Sequence, residues 1–158
     1  MPPDRLYTLV ELPPCRVAIA RGFGESPEVA AWSTLLEWAE RTGADPMSSA
    51  HRFFGFDDPP PSHPGEPYGY QQWMTVEPGV AADLHEDVAI AEFEGGLYAT
   101  SRCHGLENIT RTWAGLLEAV DRSHVDVPAR VGLEELLTIT ASDPADYVFD
   151  LYLPVTGG

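Results

Sequence analysis

RGFGESPEVAAWSTLLE at residues 21–37 and RCHGLENITRTWAGLLE at residues 102–118 are two versions of one segment. A shift of 81 residues aligns the first arginine, the glycine at the fourth position, the tryptophan and the final Leu-Leu-Glu of both. Self-similarity at a fixed spacing is typical of an internal repeat. The chain therefore contains two copies of one structural unit, and these segments give the register between them.

The first segment carries the signals of a helix with defined ends. Ser26 suits the N-cap, Pro27 the first helical position and Gly43 the C-terminal stop, so we expect a helix over residues 27–42. Apolar residues at helical spacing predict one sheet-facing stripe in each copy. The stripes are Val29, Trp32, Leu35, Leu36 and Ala39 in the first copy, and Ile109, Trp113, Leu116, Leu117 and Val120 in the second.

A β-rich run precedes each helix, and two further strands follow it. The runs are residues 16–20 and 96–100, and the later strands are residues 51–57, 69–76, 132–140 and 148–155. Leu151 and Leu153 alternate with Asp150 and Tyr152, so we expect the aliphatic face of the last strand to lie under the helices. The prediction is one α+β domain over residues 1–158, with βαββ repeats at about 5–79 and 88–156. Residues 80–91 lack the composition of a flexible tether, which favours one compact body.

The chain is strongly acidic, and this excludes several classes of partner. Nine arginines and no lysine face 25 acidic residues, which gives a net charge of −16 over 158 residues. This charge repels phosphate backbones and anionic headgroups, so we expect no direct nucleic-acid binding and no membrane binding, and it favours a cationic ligand. Signal-peptide and membrane-span patterns are missing, and Cys15 and Cys103 lack zinc-site spacing. We expect a cytoplasmic protein without a metal or other cofactor.

Several motifs together resemble the GyrI-like small-molecule-binding domains, the effector-binding domains of bacterial AraC-type and MerR-type transcription activators. The motifs are an early strand ending in Arg21, the AWSTLLEW segment at 31–38, FFGFDDP at 53–59 and FDLYLPV at 149–155. The resemblance covers residues 7–155. It implies a pseudo-twofold pair of βαββ units with an antiparallel sheet, two main helices on one face and an aromatic-lined ligand cleft on the other. The chain has no room for a DNA-binding domain, so we expect a stand-alone member.

The resemblance also implies an acidic residue of the second repeat in this cleft. Its position falls on Glu134, opposite Gly55, which would leave space, but a one-residue register slip would bring Glu135 to the cleft instead. A carboxylate among aromatic rings is a receptor suited to a flat cation. The aromatic residues predicted to contact the ligand with Glu134 are Trp73, Tyr152, Trp32, Trp113, Tyr98 and Phe56. Packing in the core or between the halves is the alternative for the tryptophans and for Tyr152.

Three functions are compatible with such a site, and we expect a binding protein rather than an enzyme. The first is sequestration or sensing of a lipophilic or aromatic cation, as in multidrug binding or transcription regulation, with a separate regulatory protein as partner. The second is hydrolysis of cyclopropane-containing reactive natural products, with Glu134 as general base and Tyr152 orienting substrate or water. The third is inhibition of a partner enzyme, as in the gyrase-inhibiting relative that names the family.

Overall fold

A computed structural model describes residues 7–45, 48, 51–80, 88–123, 125–128, 130–138 and 141–156. Contacts within the chain divide it into two compact units, which we call the continuous unit, Pro14–Glu94, and the split unit, Met1–Pro13 with Gly95–Gly158. The elements in chain order are β1 (Thr8–Leu12), β2 (Cys15–Gly24), α1 (Pro27–Thr42), β3 (Phe53–Asp57), β4 (Tyr68–Val76), β5 (Val88–Phe93), β6 (Gly96–His104), α2 (Ile109–Arg122), β7 (Leu133–Leu136) and β8 (Val148–Pro154).

The continuous unit is an antiparallel sheet in the order β3-β4-β2-β5, with α1 packed on one face. The helix comes very close to the sheet at Gly22 of β2, where an added Cβ would overlap the carbonyl oxygen of Pro27. Phe53 of β3 lies on the same side and contacts the Trp32 ring edge-on, with 5.0 Å between the ring centroids. A glycine is required at this crossing because the backbones of strand and helix nearly touch.

Helix α1 has the predicted ends but not the predicted buried stripe. It spans Pro27–Thr42 and stops at Gly43, whose φ of 79° is the left-handed conformation that glycine adopts freely. Ser26 occupies the N-cap position, but its hydroxyl makes no capping hydrogen bond. The stripe prediction was wrong at Val29, which is 66% exposed. The buried face is rotated around the helix and consists of Pro27, Ala31, Leu35, Trp38 and Ala39.

The split unit is an antiparallel sheet in the order β1-β6-β8-β7, with α2 on one face. Leu151 and Leu153 of β8 belong to a core cluster that includes Leu116 and Val120 of the helix. The prediction that the aliphatic face of the last strand lies under the helix is therefore confirmed. Leu117 was wrongly assigned to the buried stripe, because it is 49% exposed.

Strands β1 and β5 were not predicted. Neither forms a hairpin with the strand that follows it in the sequence. Strand β1 pairs with β6, and β5 pairs with β2. Strand β5, Val88–Phe93, overlaps the end of the segment 80–91 that we expected to be a plain connection. Strand β7 is shorter than the predicted 132–140, and residues 139 and 140 lie outside the described part of the chain.

The α+β class and the βαββ order of elements are confirmed within each unit. In the described part of the chain, each unit has one main helix on one face of an antiparallel sheet, with one additional strand at the sheet edge. Among the residues that the structure describes, no helix is long and apolar enough to cross a membrane.

Candidate functional site

The face of the split unit opposite α2 carries a group of tyrosine and carboxylate side chains, which we call the tyrosine face: Tyr98, Thr100, Glu135, Asp150 and Tyr152. Side chains that are directly opposite in paired strands point to the same side, and side chains alternate along each strand. Thr100 pairs with Tyr152, and Glu135 pairs with Asp150. Since Leu151 and Leu153 face the helix, these residues point away from it.

Glu135 and Tyr152 form the polar centre of the tyrosine face. The Tyr152 hydroxyl donates a hydrogen bond of 2.6 Å to Oε1 of Glu135. Glu135 is only 5% exposed, so its carboxylate is held close to aromatic groups and away from most solvent. The Tyr98 ring meets the Tyr152 ring edge-on, with centroids 6.1 Å apart. The result is a buried carboxylate beside two tyrosine rings, within one unit.

Glu134 lies on the other side of the same strand. It pairs with Leu151 of β8, whose side chain is in the core under α2. Its Oε2 accepts a 2.8 Å hydrogen bond from Nε1 of Trp113, a half-buried residue of that helix. The β7–β8 register therefore lets Glu134 hydrogen-bond to Trp113 beneath α2, and it brings Glu135 to the tyrosine face.

Asp150 adds a second charge pair to the tyrosine face. Arg102 donates hydrogen bonds of 2.8 Å and 3.1 Å to the two carboxylate oxygens of Asp150. This two-pronged contact raises the pKa of Arg102, with the hydrogen bond to Asp150 as the main cause. The face therefore contains both a largely buried carboxylate, Glu135, and a partly exposed ion pair.

The face of the continuous unit opposite α1 bears an aromatic cluster, which we call the aromatic face: Phe54, Phe56, Trp73 and Phe93. Trp73 is central to it, since its ring lies 5.5 Å from Phe56 and 5.6 Å from Phe93 between centroids. Its indole N–H donates to Gln71, whose amide donates to Asp58. These contacts fix the orientation of the Trp73 ring and bring it against Phe56, the other aromatic residue of this unit's sheet that was predicted to contact a ligand.

Two other predicted features of the continuous unit lie on the helix side of its sheet. Trp32 packs against Phe53 there. The space expected at Gly55 is already filled, because a Cβ added at Gly55 would overlap the phenol of Tyr70. The idea that Gly55 leaves room for a ligand was therefore wrong.

Outside these two faces, the described residues offer two cysteines but no cluster suited to a metal ion. Within that part of the chain, no group of three or more His, Cys, Asp or Glu side chains could hold a metal ion. Cys15 and Cys103 are free thiols. Burial raises the pKa of the Cys15 thiol above its ordinary value, which disfavours the reactive thiolate.

The sequence model of the GyrI-like small molecule binding domain matches residues 6–156. This chain belongs to that family. A match over nearly all of the chain means that the family's defining property, a small-molecule binding domain, applies to the chain as a whole. None of the curated proteins matches the sequence.

Solved structures share the GyrI-like fold at low sequence identity. The C-terminal domain of EcmrR has a TM-score of 0.73 and 13% identity, covering 97% of this chain and 99% of that one. The EcmrR chain in the EcmrR–DNA complex has a TM-score of 0.73 and 14% identity. The match covers 97% of this chain and 59% of the longer EcmrR chain. A Listeria innocua hydrolase has a TM-score of 0.72 and 13% identity, covering 98% of this chain and 94% of that one.

A fourth GyrI-like neighbour was solved with a ligand. SAV2435, bound to tetraphenylphosphonium, has a TM-score of 0.57 and 10% identity, with coverage of 96% of this chain and 94% of that one. At these identities the likeness concerns the fold alone.

The predicted site residues fall into three groups in this GyrI-like chain. Tyr98 and Tyr152 lie together on the tyrosine face, Phe56 and Trp73 lie together on the aromatic face, and three lie on the helix sides: Glu134, Trp113 and Trp32. That any of them contacts a ligand stays a prediction. Sequence reasoning missed Phe93, because its strand was not predicted, and named Glu135 only as the register alternative.

Proposed function

We propose that this GyrI-like chain binds a lipophilic aromatic monocation at the tyrosine face, with Glu135 as the counter-charge. The observation that carries the proposal is the largely buried Glu135 carboxylate, hydrogen-bonded by Tyr152 and next to the Tyr98–Tyr152 ring pair. The proposal moves the acidic role from Glu134 to Glu135, because Glu134 is bonded to Trp113 under the helix.

The chemistry of these groups favours a cation with aromatic substituents. A carboxylate at a poorly solvated position attracts a positive charge more strongly than one in water does. Each ring face adds roughly 0.5 to 2 kcal/mol toward a cation, depending on how far the pair is desolvated. The net charge of −16 raises the local concentration of any cation around the chain.

Tetraphenylphosphonium, the ligand bound to SAV2435, is a lipophilic aryl cation of this class. The fold that the two proteins share makes it a suitable first probe. We infer a role in sequestration or sensing, in which the bound cation is either withdrawn from solution or reported to a separate regulatory protein.

The proposal is tested by measuring tetraphenylphosphonium binding calorimetrically to the wild type, Glu135→Gln and Glu134→Gln. We expect Glu135→Gln to weaken binding by about tenfold to a hundredfold, because it removes the charge that faces the ligand. Glu134→Gln removes an equal charge from the neighbouring residue, but on the side of the strand that lies under α2. We therefore expect it to change the dissociation constant by less than about threefold. Thermal unfolding of each variant controls for loss of structure.

Two results would contradict this assignment. Absence of binding to wild type by tetraphenylphosphonium and by a rhodamine dye would reject the cation receptor. If both variants are folded and Glu134→Gln loses more binding affinity than Glu135→Gln, the counter-charge would be Glu134.

A hydrolytic function is the second candidate, and the Tyr152–Glu135 contact favours it. A buried carboxylate bonded to a tyrosine hydroxyl can accept a proton from water while the tyrosine orients the substrate. Incubation with a cyclopropane-containing alkylator, followed by mass spectrometry, would reveal a product that has gained one water molecule. Equal product formation by wild type and Glu135→Gln would reject this mechanism.

A further inference from the structure

An arginine side chain covers one ring of the tyrosine face. Arg130 lies in the loop between α2 and β7, and its Cζ is 5.4 Å from the centroid of the Tyr98 ring. Its Nη2 donates hydrogen bonds to the Tyr98 hydroxyl, at 3.0 Å, and to the carbonyl oxygen of Gly95, at 2.7 Å. The guanidinium therefore already occupies a cation–π position on Tyr98.

The backbone around the guanidinium is shaped to hold it. Gly96 has a φ of 143°, and a Cβ built there would lie 2.6 Å from Nη1 of Arg130. The missing side chain at Gly96 is what gives the guanidinium its space. The loop itself is tied down where the Thr156 amide donates a 2.9 Å hydrogen bond to the carbonyl oxygen of Asp126.

Burial of Tyr98 contrasts with the exposure of the arginine over it. Tyr98 is 1% exposed, whereas Arg130 is an exposed residue. A ligand can reach the Tyr98 ring only if the groups that cover it move. Arg130 can move without unfolding the chain, because a long side chain at the surface can exchange its contacts for water.

We propose that Arg130 is an autoinhibitory contact of the cation site, an internal cation that a bound ligand must displace from Tyr98. The inference rests on the proposed function, since it assumes that the ligand is a cation bound at the tyrosine face. Displacement costs the ligand the cation–π contact and the two hydrogen bonds that Arg130 makes. The positive charge of Arg130 also opposes a second cation beside it.

The test compares tetraphenylphosphonium dissociation constants of wild type, Arg130→Ala and Arg130→Lys by isothermal titration calorimetry. We expect Arg130→Ala to bind about threefold to thirtyfold more tightly, because it uncovers the Tyr98 ring and removes a like charge. Arg130→Lys keeps a positive charge near the ring, so its repulsion of a second cation is retained and its dissociation constant should stay within about threefold of wild type. Arg130→Gln, which is neutral and keeps an amide donor, is measured beside them and should also tighten binding.

Arg111→Ala is the matched control. Arg111 is exposed on α2, so its removal changes the net charge equally without uncovering Tyr98. We expect its dissociation constant to stay within about twofold of wild type. Tightening equal to that of Arg130→Ala would show a general charge effect and overturn the inference.

The remaining outcomes separate the two proposals. Wild-type binding with no tightening in Arg130→Ala or Arg130→Gln would overturn the autoinhibitory role and leave the cation receptor standing. Binding by none of the chains would overturn both.

Discussion

Trp38 shows at the scale of one residue that full burial and satisfied hydrogen bonding are separate properties. It is 1% exposed in the core of the continuous unit, and its indole N–H has no hydrogen-bond partner among the described residues. A buried donor without a partner costs free energy that packing must offset, typically about 1–3 kcal/mol. Trp38 therefore stabilises the core by its ring and not by its nitrogen.

Trp38→Phe should accordingly be tolerated. The smaller ring loses contacts, but the unsatisfied N–H is lost with them, so we expect the free energy of unfolding to change by less than about 1.5 kcal/mol. Leu35→Ala, at a buried site of the same helix, removes apolar volume but no unsatisfied polar group. It should lower the free energy of unfolding by about 2–5 kcal/mol. Urea denaturation of both variants checks this, and equal losses would contradict it.

At the scale of residues, the sequence alone could not assign Glu134 and Glu135 to the two faces of their strand. Leu133-Glu134-Glu135-Leu136 has one leucine and one glutamate on each face, so its own pattern does not orient it. Pairing of Glu134 with Leu151 and of Glu135 with Asp150 decides the matter. That information is non-local, whereas the aliphatic alternation of β8 is local and was predicted correctly.

At the scale of elements, the crossing of α1 over β2 depends on one missing side chain. Gly22→Ala would place a methyl group against the backbone atoms of Pro27 and Ala31, which cannot move without shifting the helix. We expect a loss of at least about 2 kcal/mol in the free energy of unfolding. Thermal and urea unfolding measure this change.

Gly115→Ala is the opposite case and serves as the control. Gly115 lies within α2, and a Cβ added there meets no atom within 4 Å. Alanine should stabilise the helix by roughly 0.5–1 kcal/mol, because it removes the conformational entropy cost of glycine. A destabilising Gly115→Ala, or a neutral Gly22→Ala, would contradict the geometry described for these elements.

Elements with local signals were predicted well, and those that depend on distant pairing were not. Pro27 and Gly43 gave the bounds of α1 because they act on the backbone at the helix ends. The face of α1 was misassigned, since apolar residues such as Val29 also occur on its exposed side. Strands β1 and β5 were missed because their partners, β6 and β2, lie in the other repeat of the sequence.

The charge of the whole molecule should make its stability depend on salt. With nine positive and 25 negative side chains, the net charge of −16 gives a self-repulsion that is stronger in the compact state than in the unfolded chain. Raising NaCl from about 10 mM to 500 mM shortens the screening length from roughly 30 Å to a few ångströms, so we expect the melting temperature to rise by several degrees. Differential scanning calorimetry at pH 7 measures this, with an equal osmolality of sucrose as control. A melting temperature that falls with NaCl would contradict the expectation.

Strand β1 has a consequence for how the chain is made. Among the described strands it leaves the ribosome first, yet its partner β6 belongs to the second half of the sequence. The continuous unit contains all of its own strands and can close while β1 is still unpaired. The order of synthesis is therefore not the order of pairing, because β1 emerges first among the described strands and has to wait for β6 to be made.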